Sequence, residues 1–301
     1  MSIIANNISK FYGKQKALNN VSFEVKSGEI VGFLGPNGAG KSTMMKILTC
    51  YIPQSSGAAK VCGFDVETES MQVRKNVGYL PEHNPLYLEM YIKEYLAFVA
   101  GLHEVKNINA RVKEMIELTG LQLEQKKKIG ALSKGYRQRV GLAQAMIHDP
   151  KVLIMDEPTT GLDPNQLEEI RSLIRQLGKQ KTVLLSTHIM QEVEAVCDRA
   201  IIIDLGEMKA DGKIADLMHQ TEKQIVVVEF DKPMSKTSLK TIAGITDARQ
   251  LDGNKWKLIA ETSDDIRKLI FNFAVANNAM VLTLTREEQK MEDVFRDRTK
   301  S

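Results

Sequence analysis

A glycine-rich segment near the start of the chain carries the residue types that bind phosphate groups. Its residues, in order, are Gly35, Pro36, Asn37, Gly38, Ala39, Gly40, Lys41, Ser42 and Thr43. The glycines let backbone N–H groups turn inward around the β- and γ-phosphates of a nucleotide, where side chains would block the approach. Lys41 adds a positive charge at those phosphates, and Ser42 offers a hydroxyl ligand to Mg²⁺. Since a buried strand precedes the loop and a helix follows it, the segment predicts a nucleoside-triphosphate site.

Two acidic residues follow a second apolar run. Residues 152–155 predict a buried strand that ends at Asp156 and Glu157. Asp156 is then placed to hold a metal ion, directly or through water, beside the phosphate loop. Glu157 lies one residue further, where it can polarise an attacking water, and a base in that role contributes about 10²–10⁴-fold in rate. The pair predicts hydrolysis of the bound triphosphate, with two solvated acids at a strand end as the alternative.

A third segment offers a second phosphate-binding surface. Ser133 is well placed as the N-cap of a helix predicted over 134–147, and Gly135 lies in its first turn. A serine, a glycine and a helix N-terminus can together bind phosphate. A chain that already has a phosphate loop does not need this second surface for its own nucleotide. On the residues alone, a plain capped helix and a phosphate-contacting surface both remain open.

Taken together, these segments resemble the ATP-binding cassette (ABC) family. The likeness covers about residues 1–220, with the phosphate loop, a Leu-Ser-x-Gly signature and the strand ending at Asp156 and Glu157 in the family's order. The other matching residues are Tyr12, like the aromatic that stacks on adenine, Asp163, in a segment like the D-loop, and His188, like the switch histidine.

The resemblance implies a cofactor, an activity and two kinds of partner. In the family, a head-to-tail homodimer holds two ATP molecules with Mg²⁺, each between one chain's phosphate loop and the other chain's signature, here Ser133, Gly135 and Tyr136. It also implies that Glu157 is the catalytic base and that Lys41 and His188 act at the γ-phosphate. We therefore expect an ATPase that powers a separate transmembrane permease subunit at the cytoplasmic face of the bacterial inner membrane.

Two departures from the family pattern narrow the resemblance. The usual signature is Leu-Ser-Gly-Gly-Gln, but Lys134 and Tyr136 occupy the first glycine and the glutamine positions here. Glu82 stands where the family has a glutamine that contacts Mg²⁺, so we expect a carboxylate metal ligand there. In both departures the chain resembles a branch of bacterial exporter-type subunits. That branch includes subunits linked to drug efflux, sodium efflux and gliding motility. The opening of the chain and residues 31–48 look most similar to the gliding-motility-associated subunits.

The elements that must position these residues alternate between strand and helix. Residues 3–25 predict antiparallel strands, in which Phe11 faces the core and Tyr12 the other side. Further apolar runs predict strands at 28–34, 151–155, 182–186 and 200–204 and helices at 41–49 and 165–177, with a helical subdomain at 86–149. Such alternation predicts an α/β fold with a mostly parallel sheet, the architecture of a P-loop NTPase ABC cassette.

The pattern changes beyond the predicted cassette of residues 1–220. Residues 221–301 read as β-α-β-β-α-β, with an Asp252-Gly253-Asn254 hairpin turn and a last short helix near the end of the chain. This order predicts a small α+β domain of the ferredoxin-like type. Its end also resembles the accessory domain of the same exporter branch.

Composition excludes several classes of protein. The 301 residues carry a net charge of only +3, so we expect no nucleic-acid partner. No segment has the roughly 18 consecutive apolar residues of a membrane-spanning helix, and no signal peptide is visible, so a membrane role would need a partner chain. Cys50, Cys62 and Cys197 have no metal-type spacing and are expected to be free thiols. The alternative function is a soluble, non-transport ABC ATPase that acts on the ribosome or another complex.

Overall fold

The computed structural model describes residues 1–219, 223–262, 264–287, 292 and 295. Its contacts divide the chain into two units, Met1–Ile214 and Ala215–Ser301. Each unit has a hydrophobic core of its own. Within the described residues, none of the helices combines the length and the apolar character needed to cross a membrane.

The first unit contains ten strands and seven helices within the described residues. The strands are β1 (Ile3–Tyr12), β2 (Gln15–Val25), β3 (Ile30–Leu34), β4 (Ser56–Val61), β5 (Phe64–Asp65), β6 (Val77–Leu80), β7 (Val152–Asp156), β8 (Thr182–Thr187), β9 (Arg199–Asp204) and β10 (Glu207–Lys213). The helices are α1 (Lys41–Leu48), α2 (Ser70–Asn76), α3 (Ile92–Leu102), α4 (Ile108–Leu118), α5 (Lys134–Met146), α6 (Pro164–Gly178) and α7 (Met190–Val196). A further helix, α8 (Ile214–His219), begins at the last residue of the unit.

The central sheet has the strand order β10-β9-β3-β8-β7-β6, and only β10, at one edge, pairs antiparallel. Every residue of β3, β7 and β8 is buried, as expected for parallel strands covered on both faces. Because parallel strands share one direction, the carboxyl ends of these three strands meet at the same edge of the sheet. That edge receives the phosphate loop after β3, the acidic pair at the end of β7 and the histidine loop after β8.

A second sheet, of order β2-β1-β4-β5, is antiparallel throughout. The expectation that Phe11 faces the core is wrong, since Phe11 is 41% exposed and Tyr12 is 51% exposed. Both residues lie at the hairpin end of β1, where they pair with Lys16 and Gln15 of β2. At this end β1 extends beyond the hydrophobic core, so neither face of the strand is covered there.

The segment predicted as a helical subdomain folds into α3, α4 and α5, which pack on one another and contribute Leu96, Met115 and Leu142 to a shared buried core. The mixed α/β architecture, with one mostly parallel sheet and antiparallel sheets beside it, confirms the predicted fold class. The sequence patterns did not reveal α7 or β10. Helix α7 has only seven residues, and β10 is largely exposed and polar, so neither produces a strong periodic pattern.

The second unit has β11 (Lys223–Phe230), α9 (Lys236–Leu239), β12 (Ile245–Asp252), β13 (Lys255–Glu261), α10 (Arg267–Ala276) and β14 (Val281–Glu287). Its sheet has the order β12-β13-β11-β14, with every pair antiparallel, which is the ferredoxin-like arrangement. Phe230, Trp256 and Ile270 lie in its core. The helix expected at 235–242 is shorter than predicted. The last short helix, expected near the end of the chain, falls outside the described residues apart from Glu292 and Phe295.

Candidate functional site

The glycines of the phosphate loop occupy places where a side chain does not fit. Gly38 and Gly40 have φ angles of 82° and 104°, in the left-handed region that favours glycine. A β-carbon on Gly40 would collide with the carbonyl oxygen of Ala17, and one on Gly35 would crowd the carbonyl oxygen of Ile203. The loop is therefore a backbone cradle of the shape that phosphate binding requires.

Lys41 is folded into this cradle at the first position of α1. Its Nζ donates to the carbonyl oxygen of Gly35 at 2.8 Å and to that of Pro36 at 3.2 Å. Asn37 at the loop tip is exposed, Ala39 is buried, and Ser42 and Thr43 are half-buried in the first turn of the helix. The cation is thus held inside the loop by two of its carbonyl oxygens.

Glu157 lies between two groups that the sequence separates widely. Its Oε1 is 3.4 Å from Lys41 Nζ, and its Oε2 is 2.9 Å from His188 Nδ1. Thr160 Oγ1 also donates to Oε2, at 3.2 Å. The residue is only 6% exposed, so the carboxylate is almost completely enclosed by these three partners. Buried charges persist in proteins only when they are paired in this way.

The backbone of Glu157 is also unusual. Its φ angle is 50°, in the left-handed region that non-glycine residues seldom adopt. Its N–H donates to the carbonyl oxygen of Ser186 at 3.1 Å, which extends the β7–β8 pairing past the strand end. This conformation turns the chain sharply after Asp156 and directs the Glu157 side chain towards Lys41. Residues held in such conformations are common at functional sites.

Three oxygen-bearing side chains meet on one cavity of about 500 Å³. Asp156, 2% exposed, accepts a hydrogen bond from Ser186 Oγ, while Ser42 and the exposed Glu82 complete the set. Hydroxyl and carboxylate oxygens are the ligands that Mg²⁺ takes, so these residues fit that ion. Within the described part of the chain, no group of three or more His, Cys, Asp or Glu forms a separate metal site.

Other walls of the same cavity come from β6 and from the segment that follows it. The Tyr79 hydroxyl and the Asn84 carboxamide are buried there, and neither forms a hydrogen bond within the described residues. Burial raises the pKa of the Tyr79 hydroxyl, and the charge of Asp156 raises it further. The hydroxyl therefore stays protonated and can donate a hydrogen bond to whatever enters the cavity.

Sequence reasoning missed a residue that connects two loops of the site. Glu192, on α7 and 2% exposed, accepts one hydrogen bond from Thr159 Oγ1 and another, at 2.8 Å, from Thr187 Oγ1. Thr159 follows Glu157 closely, and Thr187 directly precedes His188. The buried carboxylate therefore ties the loop after β7 to the loop after β8. An acid among the apolar residues of a short helix was the available signal.

The signature segment forms a surface apart from the phosphate loop. Ser133 is exposed and caps α5 by accepting a hydrogen bond from the Tyr136 N–H at 3.4 Å, which confirms the predicted cap. Gly135 is buried, and a β-carbon there would collide with the Gln166 carboxamide. Tyr136 is half-buried, with the Arg139 guanidinium 5.6 Å from its ring centre. Among the described residues, no hydrogen bond or ion pair joins Ser133, Gly135 or Tyr136 to the phosphate loop.

Asp163 lies next to this surface and is exposed. Its Oδ1 accepts hydrogen bonds from the N–H groups of Asn165 and Gln166, at 3.1 and 3.0 Å, so it caps α6. Together with Tyr136 and Gln166 it lines a small cavity of about 230 Å³. The structure therefore brings the signature and the D-loop segment together, on the chain's surface.

Tyr12 ends β1 with its ring largely exposed and the Lys10 ammonium 5.4 Å from the ring centre. The hairpin that begins at Tyr12 leads directly into Ala17, whose carbonyl oxygen borders Gly40 of the phosphate loop. An exposed aromatic ring on a strand that approaches the loop is compatible with stacking on a base.

Comparisons with known proteins show which family the chain belongs to. A family model described as "ABC transporter" matches residues 18–160. An uncharacterized ABC transporter ATP-binding protein, YdbJ of Bacillus subtilis (strain 168), is 34% identical over 290 residues, which are 96% of this chain and 92% of that protein. The chain belongs to the ABC transporter ATP-binding proteins. This ABC chain is also 32% identical to the linearmycin resistance ATP-binding protein LnrL of the same organism, over 97% of the chain and 96% of LnrL.

A solved structure shows the same cassette fold. It is a dimeric ATP-binding cassette in a post-hydrolysis state with ADP and Pi bound, and it superposes with a TM-score of 0.65 at 26% identity. The match covers 70% of this ABC chain and 98% of that cassette. Membership of the family makes this protein an ABC ATPase, one that binds and hydrolyses ATP.

Proposed function

We propose that this ABC ATPase powers a bacterial exporter whose membrane-spanning part is a separate permease subunit. The observation that carries the catalytic part of the proposal is the buried Glu157 carboxylate, held between Lys41 at 3.4 Å and His188 at 2.9 Å. A base, a cation and an imidazole at the mouth of a phosphate cradle are the groups that triphosphate hydrolysis needs.

In the proposed reaction Glu157 orients water for attack on the γ-phosphate and accepts its proton. Lys41 and His188 stabilise the negative charge that grows on the phosphate oxygens as the bond to the β-phosphate breaks. Ser42, Asp156 and Glu82 would hold Mg²⁺, which when bound neutralises charge on the β- and γ-phosphates.

We further propose that ATP is bound between two copies of this chain in head-to-tail orientation. One copy supplies the phosphate loop and Tyr12, and the other supplies Ser133, Gly135, Tyr136 and Asp163. Ser133 and Asp163 are exposed, and in the described part of the chain no hydrogen bond joins either of them to the phosphate loop of the same chain; both facts support this arrangement. The dimeric state of the similar cassette supports it as well.

The permease is proposed to bind beside the 500 Å³ cavity. Tyr87, Tyr91 and Phe98 lie on the adjoining segment and are exposed, with the rings of Tyr87 and Phe98 only 5.9 Å apart. A cluster of exposed aromatic side chains is typical of a protein interface. This docking would place the ATPase at the cytoplasmic face of the inner membrane, with residues 1–220 as the nucleotide-binding domain and 221–301 as an accessory domain.

Export, rather than import, is supported by the likeness to a resistance protein, LnrL. A role in gliding motility is a finer proposal that rests on the resemblance of the chain's opening and of residues 31–48. The competing function is a soluble ABC ATPase acting on the ribosome. Fractionation distinguishes them: an exporter subunit enters the membrane fraction only when its permease is co-expressed, whereas the rival sediments with ribosomes.

A mixing experiment tests the composite site. Lys41→Ala removes the phosphate-binding cation, and Ser133→Arg blocks the signature surface, so each homodimer should be inactive at both sites. A mixed dimer should regain one intact site, and with it part of the ATPase rate. If the mixture stays inactive while each chain is folded, the two-chain site is refuted.

A further inference from the structure

Lys134 occupies a distinctive place on the signature surface. It is the first residue of α5, between Ser133 and Gly135, and its side chain extends over Gly161 in the loop that follows Glu157. A β-carbon on Gly161 would lie 3.2 Å from Lys134 Cε and would collide with Nζ. Gly161 has a φ angle of 74°, so the absence of a side chain there leaves room for the lysine.

This contact is not what holds α5 against the loop. One turn further along the helix, the buried Gln138 carboxamide donates to the Pro158 carbonyl oxygen at 3.0 Å. That hydrogen bond fixes the helix on the loop whether or not position 134 carries a long side chain. The packing of α5 on this loop therefore does not require the Lys134 side chain.

The Lys134 ammonium also differs from the other cations of α5. Arg137 donates to the Gly130 carbonyl oxygen, and Arg139 forms an ion pair with Glu169. Lys134 is exposed, and within the described residues it forms neither a hydrogen bond nor an ion pair. It is an unpaired cation held between two segments, the signature and the D-loop, that both face the proposed second chain.

We propose that Lys134 is a catalytic residue in trans, whose ammonium contacts the γ-phosphate of the nucleotide bound by the partner chain. The inference rests on the two-chain site proposed above. During transfer of the γ-phosphoryl group, negative charge spreads over its outer oxygens, and a cation supplied by a second protein surface stabilises that charge. A flexible lysine can follow the phosphate as it moves away from the leaving group.

A second observation bears on the same site. Glu82 is an exposed carboxylate that lines the 500 Å³ cavity on the cradle side, and Lys134 is an exposed cation on the signature side. In the proposed head-to-tail dimer, each site receives Glu82 from one chain and Lys134 from the other. The two opposite charges then offset each other at every site.

Three variants separate the charge from the shape of the side chain. Lys134→Gln should lower kcat by about 10²-fold, the scale on which one electrostatic donor to a transition state acts. Lys134→Arg, which keeps the charge, should retain most of the rate. Lys113→Gln, which removes an exposed lysine from α4, is the matched control and should behave like the wild type. Equal rates for Lys134→Gln and the control would overturn the proposal.

Nucleotide-dependent dimer formation provides a measurement independent of the ATPase rate. In a Glu157→Gln background, sedimentation should show that Lys134→Gln weakens dimer formation with ATP but leaves the ADP-bound state unchanged, because ADP has no γ-phosphate. An equal effect with both nucleotides would mean that Lys134 does not contact that phosphate.

A mixed dimer decides between action in trans and in cis. Lys134→Gln chains are titrated with an excess of Lys41→Ala chains, so that each intact phosphate loop faces an intact Lys134. Action in trans predicts that the ATPase rate per Lys134→Gln chain rises well above that of its homodimer. If this rate stays low while the Lys41→Ala and Ser133→Arg mixture recovers, the trans role of Lys134 is refuted and the two-chain site stands. If neither mixture recovers, the two-chain site itself fails.

Discussion

The two surfaces proposed to hold ATP differ in whether their polar groups are already buried and paired within one chain. On the cradle side, Lys41, Asp156 and Glu157 are buried, and each bonds to groups of the same chain. On the signature side, Ser133 and Lys134 are exposed, and Lys134 has no polar partner among the described residues. Buried charge must be satisfied where it lies, whereas exposed charge is solvated and costs little until it is covered.

This difference indicates how the work of catalysis is divided. The cradle holds its base and its cation in place before any nucleotide arrives, which is the preorganisation that electrostatic catalysis uses. The signature surface keeps its polar groups available for a ligand that another chain presents. Substitutions in the cradle should therefore act within a chain, and substitutions on the signature surface should act across the dimer.

The largest effect should come from Glu157→Gln. The amide keeps the shape of the side chain but cannot accept a proton, so kcat should fall by at least about 10²-fold while ATP binding persists. Dimers should accumulate with ATP, measured by light scattering alongside a phosphate-release assay. Phosphate release at the wild-type rate would show that the enclosed carboxylate is not the base.

A smaller effect is expected from Glu192→Ala. Both Thr159 and Thr187 lose their buried acceptor, at a cost of about 1–3 kcal/mol in the free energy of unfolding. Because these threonines flank Glu157 and His188, kcat should fall roughly tenfold with little change in nucleotide affinity.

Glu168→Gln is the control for this prediction, since Glu168 forms only surface ion pairs on α6, whose loss costs about 0–1 kcal/mol. Chemical denaturation and steady-state kinetics measure both quantities. A loss of stability with an unchanged kcat in the folded protein would reduce Glu192 to a purely structural role.

The smallest expected effect is a pH dependence of stability that arises just beyond the C-terminal end of α5. His148 follows α5 and contacts the Val77 carbonyl oxygen at 3.0 Å, with the His103 ring stacked on it at 4.0 Å. Burial, with a smaller contribution from the charges of His103, Lys181 and Arg111, lowers the pKa of His148 to about 4, although the hydrogen bond to the Val77 carbonyl oxygen opposes this shift. The folded protein therefore keeps this imidazole neutral, whereas the unfolded chain takes up a proton near its ordinary pKa.

Since the unfolded state binds more protons between the two pKa values, stability should fall as the pH drops from about 6.5 towards 4. The difference in Tm between pH 7.5 and pH 5 should shrink by about 2–4 °C in His148→Gln, which cannot titrate. Calorimetry of both proteins at both pH values makes the comparison. An equal pH response would exclude His148 as a source of the acid sensitivity.

Much of the site could be predicted from the sequence because its signals are local. The phosphate loop is a continuous run whose glycines and lysine have meaning at fixed spacing, and Asp156 and Glu157 follow an unmistakable buried strand. The Ser133 cap and the hairpin turn at Gly253 are also decided within a few residues. In each case the physical cause, backbone geometry or strand burial, is set by neighbours in sequence.

Other features escaped prediction because they depend on packing between distant segments. Whether Phe11 is covered depends on how far the core extends along β1. Glu192 meets Thr159, which lies 33 positions earlier in the chain, only because β7 and β8 end side by side. The left-handed turn at Glu157 likewise is not signalled by its residue type.

By itself the sequence determined which groups are present, namely the cradle, the acids and the signature, and that a buried strand brings the acids beside the cradle. Only the tertiary structure decided which groups are enclosed and which stay open: Glu157 is sealed between Lys41 and His188, while Lys134 remains an unpaired cation over Gly161. The reason is that burial and charge pairing are properties of surfaces brought together through space, and a linear pattern does not contain them.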